Sequence, residues 1–271
     1  PGEERDAAQL LSDSLARDGI DIRLNTTFES VRREGATKIA TLKSVDYEST
    51  VECDEILVGV GRAPNVKGLN LEAAGVRYDG VHGVSVNDFL QTTNRRIYAA
   101  GDVCLKHKFT HTADATARIA VQNALFLGRK RLSALTIPWC TYTDPEIAHV
   151  GLYVREAMGK GIAMNTITIL MHDVDRAVTD GEEEGFVKIH LRSGTDQILG
   201  ATMVARHAGE MINGVTLAIE RGMGLRALSK VIHTYPTQAE AFKKAADAYN
   251  RTRLTSTLKF LSTRWLVWCR R

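Results

Sequence analysis

From Pro138 onward the sequence changes texture. Four strand-like stretches follow one another: TYTDPEIAHVG (141–151), NTITILMHDV (165–174), GFVKIHL (185–191) and ILGATMVA (198–205). Alternation of this kind puts successive side chains on opposite faces, one for a core and one away from it. Two helical stretches come next, Ala208 to Arg221 and Thr237 to Leu261. A run of strands succeeded by helices predicts an α+β domain of its own.

Upstream the texture is α/β. Residues 4 to 18 repeat Ala7, Leu10, Leu11 and Leu15 at a helical period, and Gly19 ends the helix. IDIRLNTTFESVRR then alternates like a strand, and Lys38–Leu42, Tyr47–Cys53 and Glu55–Val60 read as further short strands. Ile56 to Gly61 reads as a buried strand ending in glycine, followed by Arg62-Ala63-Pro64-Asn65. Arg96 to Gly101 reads as a second one, closing on Asp102. Ala113 to Leu127 is Ala-rich and helical, closed by Gly128, and a basic connector runs from 129 to 137. The expected architecture is an α/β nucleotide-binding portion followed by the α+β domain.

Composition narrows the function classes. With 271 residues, 44% hydrophobic and 25% charged, the chain has the make-up of a soluble globular protein of more than one domain. A net charge of +3, with bases and acids interleaved, gives no case for nucleic acid. No apolar run approaches the roughly 20 residues needed to span a bilayer. Cys53, Cys104, Cys140 and Cys269 are too far apart for a local redox pair or zinc-ligand spacing. Reduced thiols in the cytoplasm are the expectation. The start, Pro-Gly-Glu-Glu, reads as a cut edge.

Three constellations carry chemistry. A strand that ends in Gly101-Asp102 delivers a carboxylate to a sheet edge, where it can accept a hydrogen bond from a sugar or ribityl hydroxyl. By spacing alone, a turn residue or helix cap is the plainer reading. Thr110-His111-Thr112 opens a helix, whose first amides and dipole favour an electron-rich group; by itself, Thr112 as a plain N-cap is the better explanation. His233-Thr234-Tyr235-Pro236-Thr237-Gln238-Ala239-Glu240 puts a phenol in an extended segment just before a helix. Glu240 in the first turn is a carboxylate partner for a proton-handling side chain, or simply an acid that complements the dipole.

Taken in order, GRAPN (61–65), RRIYAAGD (95–102), FTHTADATAR (109–118), YTDPEIAHVG (142–151) and HTYPTQAE (233–240) resemble the pyridine nucleotide-disulfide oxidoreductases. DRAVTDGEEEGFVKI (175–189) and HTYPTQAEAF (233–242) look most like the mercuric-reductase-like branch. The resemblance implies FAD and NAD(P)H as cofactors. It implies that 1–63 are the later part of an NAD(P)-binding domain, 64–135 the returning part of an FAD-binding domain, and 136–271 a dimerisation domain. Gly61 would lie beside NAD(P)H, and Gly101 and Asp102 at the FAD ribityl chain. Lys108, Phe109, Thr110 and His111 would line the flavin. Tyr235 and Glu240 would complete the site of the partner chain in a homodimer.

Two departures from the family pattern matter. The Gly-rich FAD fingerprint, the CxxxxC pair and the second Gly-rich fingerprint are absent, so the chain reads as the C-terminal part of a longer enzyme, inactive alone. Disulfide-reducing members also place His, not Tyr, before the proline. A phenol titrates about 3.5 units above an imidazole, which makes it a poor base at neutral pH. The expected acceptor is therefore a metal ion, with a disulfide or another small molecule as the alternative. The vicinal Cys pair that mercuric reductases carry near the C-terminus is absent too, which counts against mercury itself. His233, two positions from Tyr235 on the same face of an extended segment, is a further candidate for the proton function. A non-catalytic dimerisation module is the rival from another class. The basic tail from Thr255, with Leu258, Leu261, Trp265 and Trp268, is expected to pack on the dimerisation domain rather than touch a membrane.

Overall fold

The computed structural model describes residues 2–270. They form two compact units, one of residues up to Leu15 together with those from Leu135 onward, the other Ala16–Ala134.

Helix α1 (Arg5–Arg17) opens the chain, as its apolar period predicts, and buries Ala7. In the Ala16–Ala134 unit, β1 (Thr27–Glu34), β2 (Thr37–Lys43) and β3 (Glu48–Cys53) form an antiparallel sheet in that order. A short ribbon pairs β4 (Tyr78–Asp79) with β5 (Gly83–Val84), and α2 (Thr110–Leu125) follows. Its small core joins Val66, Val76 and Val84 to Leu71, Ile97, Ala99 and Val103.

Several local expectations fail here for a common reason. IDIRLNTTFESVRR forms a strand only from Thr27, where β2 supplies partners. Glu55 to Gly61 forms no strand, and Leu57, Val58 and Val60 stand exposed. Arg96 to Asp102 forms one bridge, Tyr98 to Gln91, and then a 3-10 turn at Gly101–Val103. An apolar stretch becomes a strand only when a neighbouring strand takes its backbone hydrogen bonds. None of the described strands pairs with either segment. Helix α2 also begins three residues earlier than its Ala-rich stretch, so Thr112 is not its cap. Phe109 occupies that position in extended backbone, without a side-chain cap.

The other unit is built on a five-stranded antiparallel sheet. Its strands are β6 (Pro138–Thr141), β7 (Glu146–Gly151), β8 (Met164–Leu170), β9 (Phe186–Arg192) and β10 (Ile198–Ala205), in spatial order β6-β7-β10-β9-β8. Short helices α3 (Val154–Gly159) and α4 (Asp175–Asp180) lie between strands; α5 (Ala208–Glu220), α6 (Leu225–Leu228) and α7 (Glu240–Thr252) follow them. Period two sorts the side chains. Ala148, Val150, Val187, Ile189, Leu191, Ala201 and Met203 join the main core with Met211, Val215, Phe242 and Ala245. The other face packs Ile147, Phe186 and Val204 against α1. This is the predicted α+β arrangement.

The helix expected from Thr237 to Leu261 is two helices. Arg253 to Thr255 interrupt it, and Thr255 Oγ1 accepts the Leu258 N–H as the N-cap of α8 (Ser256–Cys269). The tail does not pack on the domain as expected: every described residue of α8 is exposed. Its apolar side chains occur on most of its sides, so no single face is suited to the core.

Candidate functional site

In the Ala16–Ala134 unit, the predicted cofactor residues converge on one side chain that sequence reasoning missed. Arg62 Nη1 donates to Asp102 Oδ2 at 3.1 Å, and Nη2 donates to the Lys108 carbonyl. The guanidinium therefore ties the Gly61 loop to the Gly-Asp turn and to the segment leading into α2. Its place inside the GRAPN motif was the available signal. Gly101 has φ +75°, and a Cβ there would stand 3.2 Å from the Ala113 Cβ, so glycine lets the turn lie close against α2. Thr116 secures the junction: its Oγ1 accepts the Gly101 N–H at 3.2 Å and donates to the Thr112 carbonyl at 2.7 Å.

Phe109, Thr110 and His111 form the start of α2. The rings of Phe109 and His111 stack at 5.2 Å, with His107 beyond Phe109 at 6.2 Å. The Thr112 hydroxyl is buried without a hydrogen-bond partner. A helix N-terminus with an unsatisfied hydroxyl, beside an exposed carboxylate, suits a ligand with an electron-rich edge and hydroxyl groups. These residues fit one edge of a flavin nucleotide.

The catalytic candidates lie in the other unit. Tyr235 is 69% exposed, and its phenol donates to Asp175 Oδ2 on α4 at 2.8 Å. That bond, then the charge of the same carboxylate, raises the phenol pKa. The carboxylate that meets Tyr235 is thus not Glu240, the partner its spacing suggested, but one sixty positions upstream. No local pattern links the two residues. Glu240 begins α7; its Oε1 lies 3.8 Å from Lys244 Nζ, and its Oε2 is buried without a partner. His233 Nε2 and both amide atoms of the buried Gln238 are unsatisfied as well. Buried polar groups are rarely left so. Three such side chains, His233, Gln238 and Glu240, lie within eight residues.

Polar residues also interrupt the α1-facing side of the sheet. His149 Nε2 donates to the Gly151 carbonyl at 3.1 Å, so Nδ1 accepts from Thr202 Oγ1 at 2.9 Å and the ring is neutral. Burial pushes its pKa down to about 3. The ring stacks on Tyr153 at 3.6 Å, whose hydroxyl donates to Glu3 at 2.8 Å. Lys188 bridges Glu4 and Asp6 of the N-terminal segment. Among the described residues, no three His, Cys, Asp or Glu side chains are grouped to hold a metal ion.

Comparison with known proteins gives a family. Residues 1–120 match the pyridine nucleotide-disulphide oxidoreductase family, and residues 137–246 match its dimerisation domain. Mercuric reductase of Staphylococcus aureus is 34% identical over 244 residues, which are 90% of this chain and 45% of that protein. Dihydrolipoyl dehydrogenase of Thermus scotoductus is 33% identical over 254 residues, 93% of this chain and 54% of that protein. The chain thus spans about half the length of these curated relatives. The crystal structure of LpdA from Mycobacterium tuberculosis superposes with a TM-score of 0.84 at 30% identity, over 92% of this chain and 54% of that one. The flavoprotein disulfide reductase RclA from Escherichia coli, as its Cu(II) complex, gives 0.81 at 26% identity, over 91% and 55%.

Proposed function

Because the chain belongs to the pyridine nucleotide-disulphide oxidoreductase family, we propose that it is part of a homodimeric FAD enzyme that passes electrons from NAD(P)H to a metal ion. In this reading 1–63 belong to the NAD(P)-binding domain, 64–135 to the FAD-binding domain and 136–271 to the dimerisation domain. FAD, when bound, accepts hydride from NAD(P)H and hands the electrons on. Gly101 and Asp102 would hold the ribityl chain, with the Asp102 carboxylate accepting a hydrogen bond from a hydroxyl, and Lys108 to His111 at the start of α2 would line the flavin. Gly61 would lie beside bound NAD(P)H.

The observation that carries the choice of acceptor is the bond from Tyr235 to Asp175. It keeps the phenol protonated and spends its proton on a carboxylate. A phenol held this way is ionised even less near pH 7 than a free tyrosine, so it lacks the basic form that could take the proton a dithiol–disulfide relay must move. A metal ion needs no such proton relay. Both mercuric reductases and dihydrolipoyl dehydrogenases are relatives, so the acceptor is chosen on Tyr235. The second reading is disulfide reduction with His233 as the proton-handling group, favoured by its buried, unsatisfied Nε2.

The test loads the protein that carries this chain with FAD and follows NADH and NADPH oxidation with Hg(II), Cu(II), lipoamide or glutathione disulfide. Turnover on a metal ion well above that on either disulfide is the expected outcome. Faster turnover on a disulfide, lost in His233→Ala and kept in Tyr235→Phe, would establish the second reading instead.

A further inference from the structure

Every described residue of helix α8 is exposed, although the helix is rich in apolar side chains. Leu258, Phe260, Leu261, Trp265, Leu266, Val267 and Trp268 are all about half exposed or more. At 100° per residue, Leu258, Leu261, Trp265 and Trp268 share one side, while Phe260, Leu266 and Val267 lie on others. Lys259 and Arg270 lie roughly opposite, and Arg264 flanks the stripe, with its guanidinium over the Phe260 ring at 5.5 Å.

Charge says what covers it. After Asp247 the sequence has no acidic residue, whereas Arg251, Arg253, Lys259, Arg264, Arg270 and Arg271 are all basic. An anionic surface complements such a segment, and two tryptophans beside cationic side chains suit the boundary between headgroups and acyl chains. The 14 residues of the helix, at about 1.5 Å each, are shorter than a hydrocarbon core of about 30 Å. No helix among the described residues is long and apolar enough to cross a membrane. The match to the dimerisation domain stops at residue 246, before α8 begins, which sets the helix apart from the part that pairs two copies.

We propose that α8 is an interfacial anchor that lies in the surface of an anionic lipid bilayer. Trp265, Trp268, Leu258 and Leu261 sink between the headgroups, and Lys259, Arg264 and Arg270 reach the lipid phosphates. The joint at Arg253–Thr255 separates the helix from α7 and lets it lie along the membrane while the domain stays in solution. This adds a membrane-surface partner where the sequence suggested packing on the dimerisation domain.

Co-sedimentation of the full chain with vesicles of phosphatidylcholine alone, or mixed with phosphatidylserine, tests this. Binding to the mixed vesicles only, weakened by salt, is expected, with tryptophan emission shifted to the blue. Lys259→Gln with Arg264→Gln lowers the affinity about thirtyfold, and Trp265→Ser with Trp268→Ser abolishes binding; both pairs keep the wild-type unfolding midpoint, since the helix is exposed. Absence of binding to either vesicle, or binding that ignores phosphatidylserine, overturns the proposal. So does a tryptophan pair that halves the mass in solution while the wild type ignores vesicles, because a second copy would then cover the helix.

Discussion

The Tyr235 phenol donates to Asp175 Oδ2 at 2.8 Å, although sixty positions separate the two residues. The bond joins the loop before α7 to the start of α4 and raises the pKa of the phenol. Asp175→Asn removes the charge and leaves a weaker acceptor, so Tyr235 then ionises at lower pH. The phenolate absorbance difference between each protein and its Tyr235→Phe counterpart measures this; an unchanged midpoint would mean that the carboxylate does not hold the phenol.

The Gly101–α2 junction rests on Thr116. Thr116→Val keeps the shape and leaves the buried Gly101 N–H without an acceptor, at a cost of about 1–3 kcal/mol. Gly101→Ala forces φ +75° on a residue with a side chain, against the Ala113 Cβ, and costs about as much. Urea denaturation of each variant, followed by a probe in the Ala16–Ala134 unit, reads both losses.

His149 gives stability a specific acid limb. Its pKa is lowered by burial to about 3 in the folded state, against about 6.5 when unfolded. The unfolded chain therefore binds the extra proton first. The contribution of the neutral ring is intact above pH 6.5 and is lost as pH falls from there toward 3. The slope from this one group is about 1.4 kcal/mol per pH unit. His149→Gln should flatten that limb of a plot of unfolding free energy against pH, and an unchanged limb would assign the acid loss to other groups.

The thiols should separate kinetically. Burial pushes Cys104 up to about 11 and Cys140 up to about 12, the latter with Glu146 assisting. Only the thiolate reacts, so both should lag far behind the exposed Cys269 toward a disulfide reagent at mildly alkaline pH. Cys269→Ser should remove the fast phase.

What the sequence determined by itself is local. Period-two alternation in β7 to β10 and the apolar repeats of α1 and α5 predict elements that form, because each pattern reports a face that must be buried. The GRAPN, Gly-Asp and HTYPTQAE motifs supplied the candidate residues through their resemblance to a family, since by spacing alone each had a plainer reading. What depends on distant partners only the tertiary structure decided. Ile56 to Gly61 and Arg96 to Asp102 have strand composition but no described strand to pair with. Arg62 reaches Asp102 and Lys108, and Asp175 reaches Tyr235, through folding that no spacing encodes. The expectation that α8 would pack failed because apolar content states a need for burial without naming the surface that meets it.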